Sequence, residues 1–320
     1  MVRFLSLKEC RINKDSEGEV MSFDEELSAA AGKVNDIIAK FLPAEKGYAR
    51  TVIEAMNYSV NAGGKRLRPL FIYETDRMYG GDTKEAEPFM AAIEMIHTYS
   101  LVHDDLPEMD NDEYRRGRRT THAVYGPGMG VLAGDGLLNY AYETVLKAIL
   151  DETDETMKAR KARAAYLLAV NAGIYGMVGG QCADLESEGG AEPADSDTLM
   201  YIHRHKTACM IESGFQIGAI LAGAPEKDIE DLGKIAEKIG VAFQIEDDIL
   251  DVVGNSEEVG KTLGKDAAEE KATYVSVHGL ARSREDVKRL TREAIGLYDG
   301  LSAKNDFLRT LIESMMTRTK

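Results

Sequence analysis

The sequence predicts an all-α protein built as a single-domain helical bundle, and two observations support this fold class. Long segments such as EAEPFMAAIEMIHTYSLVHDD (85–105) and GDGLLNYAYETVLKAIL (134–150) carry apolar residues at positions i, i+3, i+4 and i+7, which is the spacing of one face of a helix. Alternation of apolar and polar residues with a period of two, the pattern of strands, is almost absent.

The limits of the predicted domain follow from the two ends of this helical pattern. The first twenty residues are polar, and a second methionine, Met21, stands just before the helix-like SFDEELSAAAGKVNDIIAKFL (22–42). We therefore expect residues 1–20 to form an extension outside the fold and residues 21–320 to form one domain. No linker rich in proline or serine divides it; GGAEPADSD (189–197) and GNSEEVGKTLGKD (254–266) are expected to be loops.

Composition excludes several classes of protein. The formal net charge is −16, from 55 acidic and 39 basic residues. This charge argues against a general binder of nucleic acid or anionic membranes, because both attract positive surfaces. No segment approaches the roughly 20 apolar residues that span a bilayer, and the N-terminus lacks the apolar region of a signal peptide. Three scattered cysteines are too few for a disulfide framework. We expect a cytoplasmic protein with no nucleic-acid partner and no stable membrane insertion.

Two clusters of aspartates interrupt apolar helical segments, in LVHDDLPEMD (101–110) and FQIEDDILD (243–251). In the first, we expect Asp104 and Asp105 to finish a helix, Pro107 to turn the chain off the helix axis, and Asp110 to return from the turn. An isolated pair of aspartates is usually a solvated surface feature, but charges inside apolar segments are costly to bury. Oxygen ligands without cysteine suit a hard cation such as Mg²⁺, which binds one or two carboxylates together with substrate phosphates. The candidate metal ligands are Asp104, Asp105, Asp110, Asp247, Asp248 and Asp251.

Basic residues concentrate in three short segments, GGKRLRP (63–69), RRGRR (115–119) and HRHKT (203–207). Arginine side chains match the oxygens of phosphate groups, and glycines allow a backbone to approach an anion closely. Any one of these segments alone is more often a surface loop. Interleaved with acidic clusters, they favour a site for two anions, one bound through metal and one by arginine and lysine.

Other site chemistries find less support. A di-iron carboxylate site needs repeated Glu-x-x-His pairs, and Glu94 with His97 is one such pair without a second near the other acidic cluster. An HD-type phosphohydrolase needs further histidines upstream of HDD (103–105). Glycine-rich dinucleotide and Walker A motifs are also missing.

Seven motifs in order make the chain resemble the trans-isoprenyl (polyprenyl) diphosphate synthases, and among them the bacterial farnesyl diphosphate synthases. The resemblance covers nearly all of residues 22–320; each motif alone is a modest signal, whereas the ordered series is highly specific. The motifs are GGKRLRP (63–69), IHTYSLVHDDLPEMDNDEYRRG (96–117), LAGDGLL (132–138), GGQCADL (179–185), HRHKT (203–207), FQIEDDILD (243–251) and GK…GKD…KATY (260–274).

The resemblance implies a helical bundle around a deep central active-site cavity, and a prenyltransferase that condenses isopentenyl diphosphate head-to-tail with an allylic diphosphate, dimethylallyl or geranyl. The reaction passes through an allylic carbocation, which a dry apolar cavity protects from water. The resemblance also implies three Mg²⁺ ions per site with substrate bound, replaceable by Mn²⁺, and a homodimer.

Roles follow from the resemblance by motif position. The catalytic residues are expected to be Asp104, Asp105, Asp110, Lys206, Thr207, Gln244 and Asp247. Isopentenyl diphosphate is expected to bind Lys65, Arg68, His97 and Arg116. The allylic diphosphate is expected to bind Arg115, Lys206, Thr207, Gln244, Lys261 and Lys271. Two residues depart from the family pattern: Arg119 replaces a usual proline, and Glu246 replaces a usual neutral residue.

The predicted product is farnesyl diphosphate (C15). In the family that the chain resembles, the floor of the pocket lies along the helix before the first aspartates, where Tyr99 and Ser100 stand. Tyr99 is five residues before Asp104, about 7–8 Å along a helix axis, and an aromatic ring there would block a longer chain. The alternatives are a geranylgeranyl diphosphate (C20) synthase, a class I terpene cyclase, and a non-catalytic regulatory subunit of a prenyl synthase.

Overall fold

The computed structural model describes residues 21–188, 195–253 and 272–315, and this part of the chain is mostly helical with almost no sheet, which confirms the predicted all-α fold. The helices are α1 Phe23–Ala39, α2 Arg50–Val60, α3 Leu67–Met78, α4 Thr83–Asp104, α5 Thr121–Tyr125, α6 Pro127–Leu150, α7 Glu155–Ala172, α8 Met177–Glu188, α9 Ser196–Ile202, α10 Cys209–Ala222, α11 Glu226–Val253, α12 Tyr274–His278, α13 Leu280–Gly300 and α14 Asp306–Met315. A π-helical segment, His203–Ala208, joins α9 to α10.

The first helix begins where the sequence pattern predicts. The Ser22 hydroxyl accepts a hydrogen bond from the Glu25 amide, and the Glu25 carboxylate accepts one from the Ser22 amide at 2.8 Å. This reciprocal arrangement satisfies amides that the first turn of a helix leaves without partners. The predicted extension, residues 1–20, lies outside the described residues.

Helices α4 and α10 form the centre of the bundle. Helix α4 packs against α3 and α6, while α10 packs among α3, α7 and α11. Both central helices are buried over most of their circumference, as expected for helices without a strongly polar face. The rings of Phe71 and Phe215 stack at 4.4 Å between α3 and α10. None of the described helices is both long enough and apolar enough to cross a membrane.

The sequence did not predict a small hairpin between α4 and α5. Strands β1 Tyr114–Arg115 and β2 Arg118–Arg119 pair antiparallel through a turn in which Arg116 and Gly117 have φ angles of 53° and 74°. Two-residue strands are too short to show an alternating pattern. The Tyr58 hydroxyl donates to the Arg119 carbonyl at 2.7 Å, so the loop is anchored at the position where the related family usually has proline.

The carboxylate of Asp76 on α3 makes stability depend on pH. Asp76 is 1% exposed, and neither of its carboxylate oxygens accepts a hydrogen bond from the described residues. Burial, together with nearby Asp82 and Glu85, raises the pKa of Asp76 to about 7. Because its pKa in the unfolded chain is near 3.8, the folded state binds the proton more tightly. The Asp76 contribution to stability therefore falls as pH rises from about 4 to about 7.

We expect Asp76→Asn to stabilise the protein more at pH 8 than at pH 5, because only the carboxyl group must ionise while buried. The expected difference between the two pH values is about 1–3 kcal/mol, from roughly 1.4 kcal/mol per pKa unit. Urea denaturation of both proteins at both pH values measures it. Asp151→Asn, at an exposed position, is the matched control. An effect of Asp76→Asn that is the same at pH 5 and pH 8 would contradict the assigned pKa.

Candidate active site

The first acidic cluster is built where helix α4 ends. The helix stops at Asp104, as predicted, and the chain then turns so that the Asp110 amide donates to the Asp104 carbonyl at 2.9 Å. Asn111 follows with a φ of 51° and donates its amide to the Leu106 carbonyl at 3.0 Å. The turn therefore returns Asp110 to the end of the helix.

Asp105 is paired with Arg115 of the hairpin. Its Oδ1 accepts from Arg115 Nε at 2.7 Å and lies 2.6 Å from Nη2, and the aspartate is only 4% exposed. Burial raises the pKa of Asp105, although Arg115 acts in the opposite direction. In this arrangement Asp105 orients an arginine, which leaves Asp104 and Asp110 as the more accessible carboxylates of the cluster.

Asp104 is a partly buried carboxylate whose pKa is raised above its usual value. Burial raises its pKa to about 6, and the neighbouring Asp110 and Asp105 act in the same direction while Lys206 and Arg115 lower it. Gln181 on α8 donates to its Oδ1 at 3.0 Å. A half-buried carboxylate beside other acids is stabilised by a bound cation, so the side chains present fit Mg²⁺.

The second acidic cluster lies on α11, and its three aspartates have different surroundings. Asp248 is buried and accepts from the Tyr274 amide at 2.6 Å, so it ties α11 to the start of α12. Asp247 and Asp251 are partly buried and lie one helical turn apart on the same face. One turn earlier, Gln244 Oε1 accepts from the Thr207 hydroxyl at 2.9 Å. The helix thus brings Gln244, Asp247 and Asp251 to one side.

The predicted isopentenyl diphosphate residues surround the N-terminus of α3. His97 on α4 has a pKa well below its usual value, because of burial and then the positive charges of Arg68, Arg116, Arg115 and Arg66. The histidine is therefore neutral, and these charges converge on it. Arg68 Nε is buried and has no hydrogen-bond partner among the described residues. Such a cluster of cations favours an anionic ligand.

The arginine between Lys65 and Leu67 has a structural role. Arg66 has a φ of 50° and turns inward, where it pairs with Glu94 at 2.5 Å; both side chains are 3% exposed. It also donates to the Val60 carbonyl at 2.6 Å. Lys65 is left exposed. Arg116 Nη1 donates to the Gly63 carbonyl, so the hairpin contacts the same loop.

Lys206 and Thr207 lie in the π-helical segment between α9 and α10. Lys206 Nζ pairs with Asp184 of α8 at 2.5 Å, and Thr207 contacts Gln244 of α11 as described. In the same sequence motif, Arg204 pairs with Glu237 at 2.7 Å and is exposed. Of the basic HRHKT motif, Lys206 is the cation beside the first acidic cluster.

Tyr99 lies in the bundle interior below Asp104. It is 6% exposed, and its ring packs edge-to-face on His103 with centroids 5.7 Å apart. Burial raises its pKa to about 12, with Tyr142 of α6 as the next contributor, so the two tyrosines are neighbours. Ser100 donates its hydroxyl to the His97 carbonyl at 2.9 Å.

Two predicted residues, Lys261 and Lys271, lie outside the described residues. Within the described ranges, no three histidine, cysteine or acidic side chains are arranged to bind a metal by themselves. The sequence reasoning assigned no role to Gln181 or Asp184, which contact Asp104 and Lys206. Both belong to GGQCADL, one of the seven motifs, so their membership of that motif could have indicated that they lie in the site.

This fold and this order of motifs define an all-α prenyltransferase. The polyprenyl synthetase family matches residues 49–313, and the chain belongs to that family. It is 42% identical to a farnesyl diphosphate synthase of Geobacillus stearothermophilus over 83% of this chain and 87% of the relative. It is 41% identical to a geranylgeranyl diphosphate synthase of Cyanophora paradoxa, covering 82% and 85%.

A solved structure shares the fold. The geranyltransferase of Helicobacter pylori, complexed with magnesium and isoprenyl diphosphate, superposes with a TM-score of 0.77 at 28% identity, over 92% of this chain and 97% of that one. The relatives thus include enzymes of both product lengths, and similarity alone does not choose between them.

Proposed function

We propose that the protein condenses isopentenyl diphosphate with an allylic diphosphate, dimethylallyl or geranyl, and makes farnesyl diphosphate. The observation that carries this proposal is a pair of adjoining charged clusters. The first cluster is the group of arginines around neutral His97. The second is the group of aspartates around Asp104, together with Lys206. Arg115 contributes to both clusters. Because Arg115 belongs to both clusters, two diphosphates would bind side by side, one mainly by cations and one partly through metal.

Each cluster suits a different task in this reaction. Lys65, Arg68, His97 and Arg116 would bind isopentenyl diphosphate, with neutral His97 as a hydrogen-bond partner that adds no charge. Arg115 and Lys206 would bind the allylic diphosphate and stabilise the charge that develops as it leaves. Binding both substrates in one orientation supplies much of the rate enhancement, because it makes the condensation effectively unimolecular.

Two polar side chains near Lys206 would face the allylic carbons. In this proposal the Thr207 hydroxyl and the Gln244 side-chain carbonyl, which are hydrogen-bonded to each other, would present their oxygen atoms to the substrate. Oxygen atoms stabilise a developing carbocation without attacking it as water would. The isopentenyl double bond would attack the allylic carbon and form the new carbon–carbon bond as the diphosphate leaves, and the departed diphosphate would take the proton that is then lost.

Mg²⁺ would be held by Asp104, Asp110 and Asp247, with Asp251 nearby, and would neutralise diphosphate charge so that the allylic bond breaks more readily. Asp105 and Asp248 would act differently in this proposal, since the first is paired with Arg115 and the second binds the Tyr274 amide.

The product length is proposed to be C15 because the Tyr99 ring occupies the interior five residues before Asp104. The competing candidate is a C20 product, which the geranylgeranyl diphosphate synthases among the relatives keep open. The test is to incubate the purified protein and Mg²⁺ with labelled isopentenyl diphosphate and either allylic primer, and to size the dephosphorylated products. A C15 product that disappears with EDTA supports the proposal. A C20 product overturns the product length, and no product overturns the reaction.

We also propose that the protein is a homodimer. Among the residues that the structure describes, most of the large exposed apolar side chains fall between α5 and α8 along the chain. They are Val124, Val131, Leu132, Leu146, Leu150, Tyr166, Ile174, Tyr175, Val178 and Leu185. Apolar side chains gathered in one part of a surface indicate a protein interface, and a second copy of the chain is the partner that the polyprenyl synthetase resemblance implies.

We expect the double variant Leu132→Asp, Leu146→Asp to run as a monomer in size-exclusion chromatography with light scattering. Both leucines are 54% exposed on α6, so charges there would be desolvated only in an interface. Val277→Asp, at a 41% exposed apolar position on α12, is the control and should keep the wild-type mass. A wild-type protein that is monomeric at micromolar concentration would overturn the proposal.

A further inference from the structure

The π-helical segment His203–Ala208 is contacted on two sides by glycines. A Cβ at Gly180 of α8 would lie 2.7 Å from the His205 carbonyl carbon and 2.8 Å from the Lys206 Cα. A Cβ at Gly240 of α11 would lie 2.5 Å from the Ala208 Cα. These distances are shorter than any that real Cβ atoms adopt, so the main chain of the segment approaches both helices only because the two residues are glycines.

One turn beyond each glycine, the same helix contacts a side chain of the segment. On α8, Asp184 follows Gly180 by four residues and pairs with Lys206 at 2.5 Å. On α11, Gln244 follows Gly240 by four residues and accepts from Thr207 at 2.9 Å. Residues four apart lie on one face of a helix. Each helix therefore fixes the segment at two points, one on its main chain and one on a polar side chain.

The π-helical hydrogen bonding changes the orientation of Lys206 and Thr207. The Cys209 amide donates to the Arg204 carbonyl, five residues back, so the segment has one more residue per turn than the α-helices that flank it. That extra residue rotates Lys206 and Thr207 relative to the register that an uninterrupted helix from α9 to α10 would give them. Because π-helical turns are rare and short, this segment depends on its contacts with α8 and α11 to keep its conformation.

We infer that Gly180 and Gly240 are positioning residues for Lys206 and Thr207: they allow α8 and α11 to hold the π-helical segment in the one orientation that directs both side chains to the allylic substrate. This inference rests on the proposed function. A displacement of about 1 Å is enough to lower a rate by about a hundredfold. A methyl group at either glycine would force a displacement of that size, because it would meet backbone atoms of the segment and, at Gly240, also the Ala208 Cβ, none of which can swing aside.

The test compares four glycine-to-alanine variants. Gly240→Ala and Gly180→Ala probe the segment. Gly218→Ala on α10 is equally crowded, with its Cβ 2.9 Å from the Asp76 amide nitrogen, but it lies against α3. Gly32→Ala on α1 meets nothing within 4 Å. For each variant we would measure the melting temperature, kcat, and the KM of each substrate, together with geranyl diphosphate and Mg²⁺ binding by calorimetry without isopentenyl diphosphate.

We expect Gly240→Ala and Gly180→Ala to lower kcat, or the affinity for geranyl diphosphate, by at least tenfold, while the KM for isopentenyl diphosphate changes less than twofold. Gly218→Ala should lower the melting temperature without this selective loss, and Gly32→Ala should behave as wild type. Equal losses in Gly240→Ala and Gly218→Ala would overturn the inference, since packing alone would explain them. If Gly240→Ala is insoluble, Gly180→Ala, which meets the same segment from α8, provides the test. A Gly180→Ala protein with wild-type kcat and wild-type affinity for geranyl diphosphate would overturn the inference.

A structural measurement separates this inference from the proposed reaction. In a crystal structure of Gly240→Ala, the contact between Thr207 and Gln244 should be broken or lengthened. An unchanged contact would overturn the positioning role even in an active enzyme. A changed contact in a protein whose wild type forms no prenyl product would instead retain the positioning role and overturn the proposed function.

Discussion

Replacing Asp104 by asparagine is expected to lower kcat by on the order of a thousandfold while leaving the protein as stable as wild type or more so. A metal ion that neutralises leaving-group charge supplies several kcal/mol, and each 1.4 kcal/mol is a factor of ten in rate. Asparagine keeps an Oδ1 that can accept from Gln181, so the change removes charge with little change in shape.

The free energy of unfolding of Asp104→Asn should rise although its kcat falls, because burial raises the pKa of Asp104 in the folded wild-type protein to about 6. Above that pH the ionised carboxylate opposes folding, by up to about 3 kcal/mol for two pKa units. Steady-state assays with Mg²⁺ and urea denaturation in EDTA at pH 7.5 would measure both effects. Asp151→Asn, which loses only an exposed ion pair with Lys147, is the control. An Asp104→Asn protein that is fully active would remove Asp104 from the proposed metal site.

Replacing Tyr99 by alanine is expected to change the main product from C15 to C20 or longer. The ring is 6% exposed and is in contact with His103, so its removal opens space in the interior below Asp104. A cost of about 3–5 kcal/mol in stability accompanies the loss of a buried aromatic ring, and assays should therefore be run well below the melting temperature.

Two further variants locate the floor of the pocket. Tyr99→Phe keeps the ring and should still make C15. Tyr142 on α6 is a neighbour of Tyr99, and Tyr142→Ala should leave the product unchanged if Tyr99 is the floor. A longer product from Tyr142→Ala, with C15 retained in Tyr99→Ala, would move the floor to α6. The lengths are read by chromatography of the dephosphorylated products.

Much of the fold and of the candidate site could be predicted from local patterns in the sequence. Helical periodicity predicted the all-α bundle, and the helix-like segment 22–42 contains α1, Phe23–Ala39. The first aspartates were expected at a helix end followed by a turn, and α4 does end at Asp104 with Asp110 returning to it. These features depend on residues near one another in the chain, which is why sequence patterns record them.

Contacts between distant segments could not be predicted in this way. Asp105 and Asp104 are adjacent in sequence, yet one pairs with Arg115 and the other accepts from Gln181, 77 residues away. Arg66 stands next to Lys65 in the basic segment GGKRLRP, but its side chain turns inward to Glu94. The two-residue strands of the hairpin and the π-helical segment left no periodic signal.

The sequence by itself determined the helical class, the order of the motifs and the kinds of side chain available for a metal–diphosphate site, because periodicity and residue chemistry are local properties. Only the tertiary structure decided which acid is paired, which arginine is structural and how Lys206 and Thr207 are oriented. The physical reason is that a charge takes its role from its burial and its partners. Here those partners come from helices α4, α8 and α11 and from the hairpin that carries Arg115, which only folding brings together.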